Sequence, residues 1–361
     1  MLFRSVLPPI QRPAVVPLPI LEKRHIDVNI ESFDDLIHLI DTNPYDETVE
    51  YNIDLKSLHN VRNELHEIHN MIGLTNFKND LLDQLLYFVQ GLHENTEHDY
   101  KHLIIYGPPG TGKTQLAKLV GQMYSKLGIL KNGIFKKVTR TDLVAGYLGQ
   151  TAIKTSKVIQ ECLGGVLFID EVYSLGCGAK ASGRDGGSGM DNGSGSDGDS
   201  FSKECIDTLC EALSNYKDEL MVIIAGYEQD VQNQFLSMNP GLSSRFIWRF
   251  SIGEYNADEL KQIFLRKVES NGWKWHHSVM TSDVDDCKEG VLDSVDDWFT
   301  KKCALGAFKY YGRDMEQLFT YCKIAHGRRI YGLPLDERRY FTIADLDRGY
   351  EIFIKHADEK A

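Results

Sequence analysis

Gly107-Pro108-Pro109-Gly110-Thr111-Gly112-Lys113-Thr114 is an uninterrupted phosphate-binding loop pattern, and the segments on either side of it decide the fold. Before it, His102-Leu103-Ile104-Ile105-Tyr106 is a short apolar run of strand type. After it, Leu116, Leu119, Val120, Met123, Tyr124 and Leu127 fall at helical spacing, and Gly128 closes the run. A strand that turns through glycines into a helix brings backbone N–H groups against a polyphosphate with no Cβ to block the approach. Lys113 adds an ammonium at the helix entry. Thr114 adds a hydroxyl that can ligate Mg²⁺ beside the β- and γ-phosphates. The expected ligands are therefore ATP and Mg²⁺, with Pro108, Pro109, Gly110, Thr111, Gly112, Lys113, Thr114 and Gln115 around the nucleotide.

A second apolar run, Gly165-Val166-Leu167-Phe168-Ile169, ends in Asp170-Glu171. Taken alone, two acids there would be solvated residues at a strand end. Downstream of a phosphate loop they have separable tasks: Asp170, with Thr114, can orient the Mg²⁺ shell, and Glu171 can polarise the attacking water. A site that only bound nucleotide would not need the second carboxylate, so the pair predicts hydrolysis.

With 361 residues, 42% of them hydrophobic, the chain can bury a large core; we expect one nucleotide domain with a smaller companion. A net charge of −12, with no dense basic region, makes nucleic acid a poor partner. The seven cysteines include no C-x-x-C pair or matching histidine set, which fits reduced thiols in the cytoplasm or another reducing compartment. No apolar stretch is long enough to cross a bilayer, so no membrane partner is expected. Residues 1–20 carry five of the ten prolines, which favours a flexible tail over a targeting peptide and keeps organelle import as the minor alternative.

Residues 1–67 are read as a partly disordered N-terminal extension, polar and acidic from about 31, with weak helical periodicity. An ATPase module begins near Met71-Ile72-Gly73-Leu74 and runs over 68–254, with Phe77, Leu81, Leu82, Leu85, Leu86, Val89 and Leu92 on one helix face. Apolar strands alternate with amphipathic helices, the third strand being Leu220 to Ala225. This predicts an α/β fold with a parallel sheet covered by helices on both faces. Residues 176–200, with nine glycines, read as a flexible loop. Residues 255–361 read as a small α-helical lid domain, opened by a capping signal at Asn256 and Glu259, with Thr342 and Asp345 opening its last helix.

Loop, acid pair and helical appendage together resemble the AAA ATPases. Ala225-Gly226-Tyr227, Asn239-Pro240-Gly241-Leu242-Ser243-Ser244-Arg245-Phe246, Tyr147-Leu148-Gly149 and Gly164-Gly165-Val166-Leu167-Phe168-Ile169-Asp170-Glu171 look like one subgroup. It contains the red-type Rubisco activase CbbX, the sporulation stage V protein K and the ATPase domain of a type VII secretion component. The resemblance covers about residues 68–355, and Ile72 and Gly73 at the module's start are expected to join the ATP contacts.

The resemblance implies a homo-oligomer, a hexameric ring. In it Arg245 is the arginine finger that reaches the γ-phosphate of a neighbouring subunit, with Arg249 the alternative; Arg313 is the lid arginine that senses nucleotide in its own subunit. Tyr227 stands at the first-sensor position, where many AAA ATPases carry a polar residue such as Asn. Tyr147, Leu148 and Gly149 form a pore loop whose aromatic ring grips an unfolded chain by apolar contact. The implied activity is a ring that remodels or threads a protein client. A slow nucleotide-dependent switch or scaffold is the alternative, and Rubisco activation ranks below an unspecified client.

Overall fold

The computed structural model describes residues 22–93, 99–147, 149–176, 197–275, 295–332, 334 and 338–358. The chain opens with β1 (Glu22–Arg24), α1 (Phe33–Thr42), β2 (Val49–Tyr51), α2 (Leu55–Asn60) and α3 (Arg62–His69). The ATPase unit follows as α4 (Thr75–Val89), β3 (Leu103–Tyr106), α5 (Lys113–Lys126), β4 (Phe135–Val138), α6 (Arg140–Leu143), α7 (Thr151–Gln160) and β5 (Val166–Ile169). It continues through α8 (Asp197–Asn215), β6 (Met221–Gly226), the single turn α9 (Glu228–Asp230), α10 (Pro240–Arg245) and β7 (Trp248–Ser251). The lid holds α11 (Ala257–Ser270), β8 (Lys274–Trp275), α12 (Val295–Ala304), α13 (Gly312–Arg329), β9 (Tyr340–Phe341) and α14 (Ile343–Asp358).

The central sheet has five strands in the order β4-β5-β6-β3-β7, all parallel to their neighbours. Its central strands β3, β5 and β6 are buried on both sides, and the period of two sorts the residues of the sheet. Leu103, Ile105, Val166, Phe168, Met221, Ile223, Ala225 and Phe250 enter one core with α4 and α5. Ile104, Tyr106, Val138, Leu167, Ile169, Val222 and Ile224 enter the other with α7 and α8. The doubly covered parallel sheet is the architecture the sequence predicts. The edge strands β4 and β7 go unrecognised there because their half-exposed residues break the apolar run.

Three differences from the sequence reading have plain causes. The stretch read as a partly disordered extension has defined structure from Glu22 on: Phe33, Leu36, Ile40, Leu55, Leu58, Leu65 and Ile68 are buried in the same core as α4, α5 and the sheet face. Ser32 and Asp35 close a capping box on α1, a signal passed over amid the acidic composition. Leu92 lies beyond the end of α4 and is exposed instead of sharing its buried face. The expected flexible loop is shorter at its end, because α8 begins at Asp197; residues 177–196, like the N-terminal tail, lie outside the described residues.

The lid is helical around its own core of Leu260, Phe264, Trp298, Phe299, Leu318, Phe319 and Leu346, and it adds the short parallel pair β8-β9. Both expected helix starts are present. Asn256 and Glu259 exchange capping hydrogen bonds on α11, and the Thr342 N–H donates to Asp345 ahead of α14.

Candidate active site

The phosphate loop connects β3 to α5 at the carboxyl edge of the sheet, where the order of strands reverses. Gly110 and Gly112 hold φ of 81° and 89°, a region costly to any residue with a Cβ. The Lys113 ammonium donates to the Gly107 and Pro108 carbonyls at 2.9 and 2.8 Å, and the Thr111 hydroxyl donates to Pro108 at 2.8 Å. Burial pushes the Lys113 pKa down, while the nearby charges of Asp170 and Glu171 oppose the shift. The first-turn N–H groups of α5 have no intrahelical acceptors, so the helix end, like the ammonium, suits an anion.

Asp170 and Glu171 follow β5 at the same edge. The Thr114 hydroxyl lies 3.4 Å from Asp170 Oδ2, which joins the loop to the second strand. A hydroxyl and a carboxylate oxygen at this spacing, beside a phosphate cradle, are the hard oxygen donors that fit Mg²⁺. Lys137 of β4 reaches the same Oδ2 at 2.6 Å. Glu171 is exposed and carries φ 50° and ψ 49°, a left-handed conformation rare outside glycine. Backbone of that kind clusters at functional sites. Tyr227 follows β6 with its ring centroid 6.5 Å from that of Tyr173; burial, then Tyr310 and Glu171, raise its phenol pKa.

The lid closes on the loop from the other side. Gly312 donates its N–H to the Gly110 carbonyl at 3.1 Å, and a Cβ on Gly110 would land on the Tyr310 carbonyl oxygen. Tyr311, between them, holds φ 45° and ψ −112°. The Tyr255 hydroxyl donates to the Thr111 carbonyl at 3.3 Å, and burial, with Glu259 nearby, pushes its pKa up to about 12. Between loop and lid opens a cavity of about 560 Å³, lined by Met71, Ile72, Gly110, Thr111, Gly112 and Gln115 on one side. Tyr255, Ile263, Arg266, Lys267, Ser270, Gly312, Arg313, Met315 and Glu316 line it from the lid.

Of the expected nucleotide contacts Ile72, Gly110, Thr111, Gly112 and Gln115 line this cleft, Pro108, Pro109, Lys113 and Thr114 do not, and Arg313 enters it from the start of α13. Gly73 stands just outside that lining, where a Cβ would meet Glu259 and Tyr255. Arg245 is not among the lining residues. It donates to Ser214 Oγ and to the Gly241 carbonyl, both at 2.6 Å, and its guanidinium lies 5.9 Å from the Tyr100 ring centre. Arg249 donates to Ser243 Oγ at 2.9 Å. Tyr147 is 74% exposed, and Leu148 lies outside the described residues. Sequence reasoning missed Lys137, Tyr255, Ile263, Arg266, Lys267 and Glu316. The α11 and α13 residues could have been found from helical spacing, since Ile263, Arg266, Lys267 and Ser270 share one face.

A phosphate loop before a helix, acids at the end of a second strand of the same sheet and a helical lid define a P-loop nucleoside triphosphatase. The pattern of the ATPase family associated with various cellular activities (AAA) matches residues 103–246. A putative cfxQ-like protein of Acanthamoeba polyphaga mimivirus is 34% identical over 303 residues, 84% of this chain and 67% of that protein. ESX-1 secretion system protein EccA1 of Mycobacterium tuberculosis is 38% identical over 204 residues, 55% of this chain and 32% of that protein. Stage V sporulation protein K of Bacillus subtilis is 36% identical over 173 residues, 48% of each chain. The matches to EccA1 and the sporulation protein thus span about a third and about half of those proteins.

The chain belongs to the AAA family of ATPases, in the subgroup that holds the cfxQ-like proteins and stage V sporulation protein K. It is an ATP hydrolase of that family. Among the described residues no helix is long and apolar enough to cross a membrane.

Proposed function

We propose that this protein is the subunit of a hexameric ring that uses Mg²⁺-dependent ATP hydrolysis to remodel or thread a protein client. The observation that carries the reading is the division between its two arginines. Arg313 lines the chain's own nucleotide cleft, whereas Arg245 sits outside it on a short polar segment, held by two hydrogen bonds that a neighbour's phosphate could replace. A guanidinium supplied in trans makes turnover depend on assembly.

Within the cleft, Lys113 and the α5 amide groups hold the phosphates, and Ile72 packs beside the nucleotide. Bound Mg²⁺, held by Thr114 and Asp170, would neutralise charge on the β- and γ-phosphates. Glu171 orients and deprotonates the attacking water, and Tyr227 can fix that water from the neighbouring strand. Arg313 ties the lid to nucleotide occupancy, through a helix whose first residue is already bonded to Gly110.

Glu171→Gln tests this reading. It should retain ATP binding, release phosphate about a hundredfold more slowly or worse, and hold assembled rings on their client long enough for recovery by pull-down. Phosphate release equal to that of the wild type overturns the role of Glu171. Rings that form and stall without retaining any protein favour the switch or scaffold instead.

A further inference from the structure

Asp170 turns one carboxylate oxygen to both a hydroxyl and an ammonium. Its Oδ2 lies 3.4 Å from the Thr114 hydroxyl and 2.6 Å from the Lys137 ammonium. Lys137 sits on the edge strand β4, in register with Phe168 of β5, and its ammonium lies 5.9 Å from the Phe168 ring centre. The alternation of the strand separates it from Lys136, which pairs with Glu161 instead. Lys113, whose charge Asp170 also feels, directs its ammonium to the loop carbonyls and makes no ion pair with that carboxylate. We propose that Lys137 is a counter-ion that competes with the divalent cation for Asp170 and thereby sets the Mg²⁺ concentration at which the nucleotide site loads.

The argument is electrostatic. A divalent ion between Thr114 and Asp170 meets an ammonium already bonded to the carboxylate oxygen it needs, and the two cations repel across a half-shielded space. Lys137 is 46% exposed and Asp170 22% exposed. The lysine can therefore swing into solvent, and the ion pair is worth only what a surface pair is worth. That combination makes the competition reversible and modest. It lets Asp170 stay neutralised before metal arrives, and it leaves Glu171 alone to meet the water.

The inference rests on the reading that Thr114 and Asp170 hold Mg²⁺, and the test separates the two. Binding of a fluorescent ATP analogue is titrated with Mg²⁺ for the wild type, Lys137→Met, Lys137→Arg and Asp170→Ala. Lys137→Met should lower the half-saturating Mg²⁺ about threefold to fivefold, the range of a half-exposed ion pair. Lys137→Arg should keep the wild-type midpoint. An unchanged or raised midpoint in Lys137→Met overturns the inference, including when its melting temperature falls, since that combination marks a merely structural pair. An Asp170→Ala midpoint equal to the wild type overturns instead the assignment of Asp170 to the metal.

Discussion

Lys113 and Arg245 are both cations suited to a nucleotide's phosphates, and the protein treats them in opposite ways. Lys113 is half-buried in its loop and bonded to the carbonyls of Gly107 and Pro108, at the sheet edge where the loop, the acid pair and the lid meet. Arg245 lies at the end of α10, outside the cleft, docked on Ser214, Gly241 and the face of Tyr100. A group that works within its own chain has its surroundings built around it. If Arg245 works on another chain, as proposed, these contacts are only its resting place, and those that define its task would lie on the neighbouring subunit.

The largest effect expected from this contrast belongs to Arg245→Ala. If the finger acts in trans, hydrolysis should fall about a hundredfold or more, with nucleotide affinity nearly intact. Specific activity of the wild type should rise with protein concentration as rings form. Mixing Arg245→Ala with Lys113→Ala protein should restore part of the activity, because an intact loop then meets an intact finger. Mixed rings as inactive as either variant alone would erase the contrast and return Arg245 to a surface role.

An intermediate effect is expected where the two halves of the cleft touch. Alanine at Gly110 costs about 1–2 kcal/mol through its left-handed backbone, and its Cβ also collides with the Tyr310 carbonyl. Alanine at Gly112 meets the same backbone cost, yet only Met71 Cε stands near, at 3.7 Å. Comparing the two isolates the lid contact. Amide exchange at the start of α13 should be about tenfold faster in Gly110→Ala than in Gly112→Ala, the difference of a lost hydrogen bond plus local strain. Equal exchange would show that Gly110 and Gly312 do not latch lid to loop.

Legibility followed the same division. The loop, the acid pair and the strands β3, β5 and β6 could be read directly, because a fully buried parallel strand is a continuous apolar run and a phosphate cradle demands glycines at fixed places. The edge strands could not, since Phe135-Lys136-Lys137-Val138 buries only its last residue fully and looks like surface. Lys137 belongs to no motif; only the register of β4 beside β5 brings it to Asp170. The residues from 22 to 69 looked like an extension because their acidic surface diluted the periodicity of Leu36, Ile40, Leu65 and Ile68, which are buried against the sheet's helices. Arg313 needed a family resemblance to be singled out, because the lid places it in the cleft across a long separation in sequence.

The smallest effect on hydrolysis should come from Tyr147, and its smallness is the point. The ring is 74% exposed and absent from the cleft lining, and among the described residues, chain neighbours aside, no atom lies within 4 Å of a Cβ placed at Gly146 or Gly149. Gly149 also holds φ 75°, a left-handed conformation suited to glycine. An exposed side chain with so little around it contributes within about 0.5 kcal/mol to the folded state. Tyr147→Ala should therefore assemble and hydrolyse ATP within about twofold of wild type. It should nevertheless fail to remodel the client recovered with Glu171→Gln, because the apolar grip on that client is lost. Tyr147→Phe should retain most of the remodelling, since ring surface and not the hydroxyl makes the contact. Full remodelling by Tyr147→Ala would leave an ATPase whose exposed aromatic does no mechanical work, and the protein would then be the nucleotide-set scaffold; loss of hydrolysis in the same variant would instead place Tyr147 with the groups that serve the cleft.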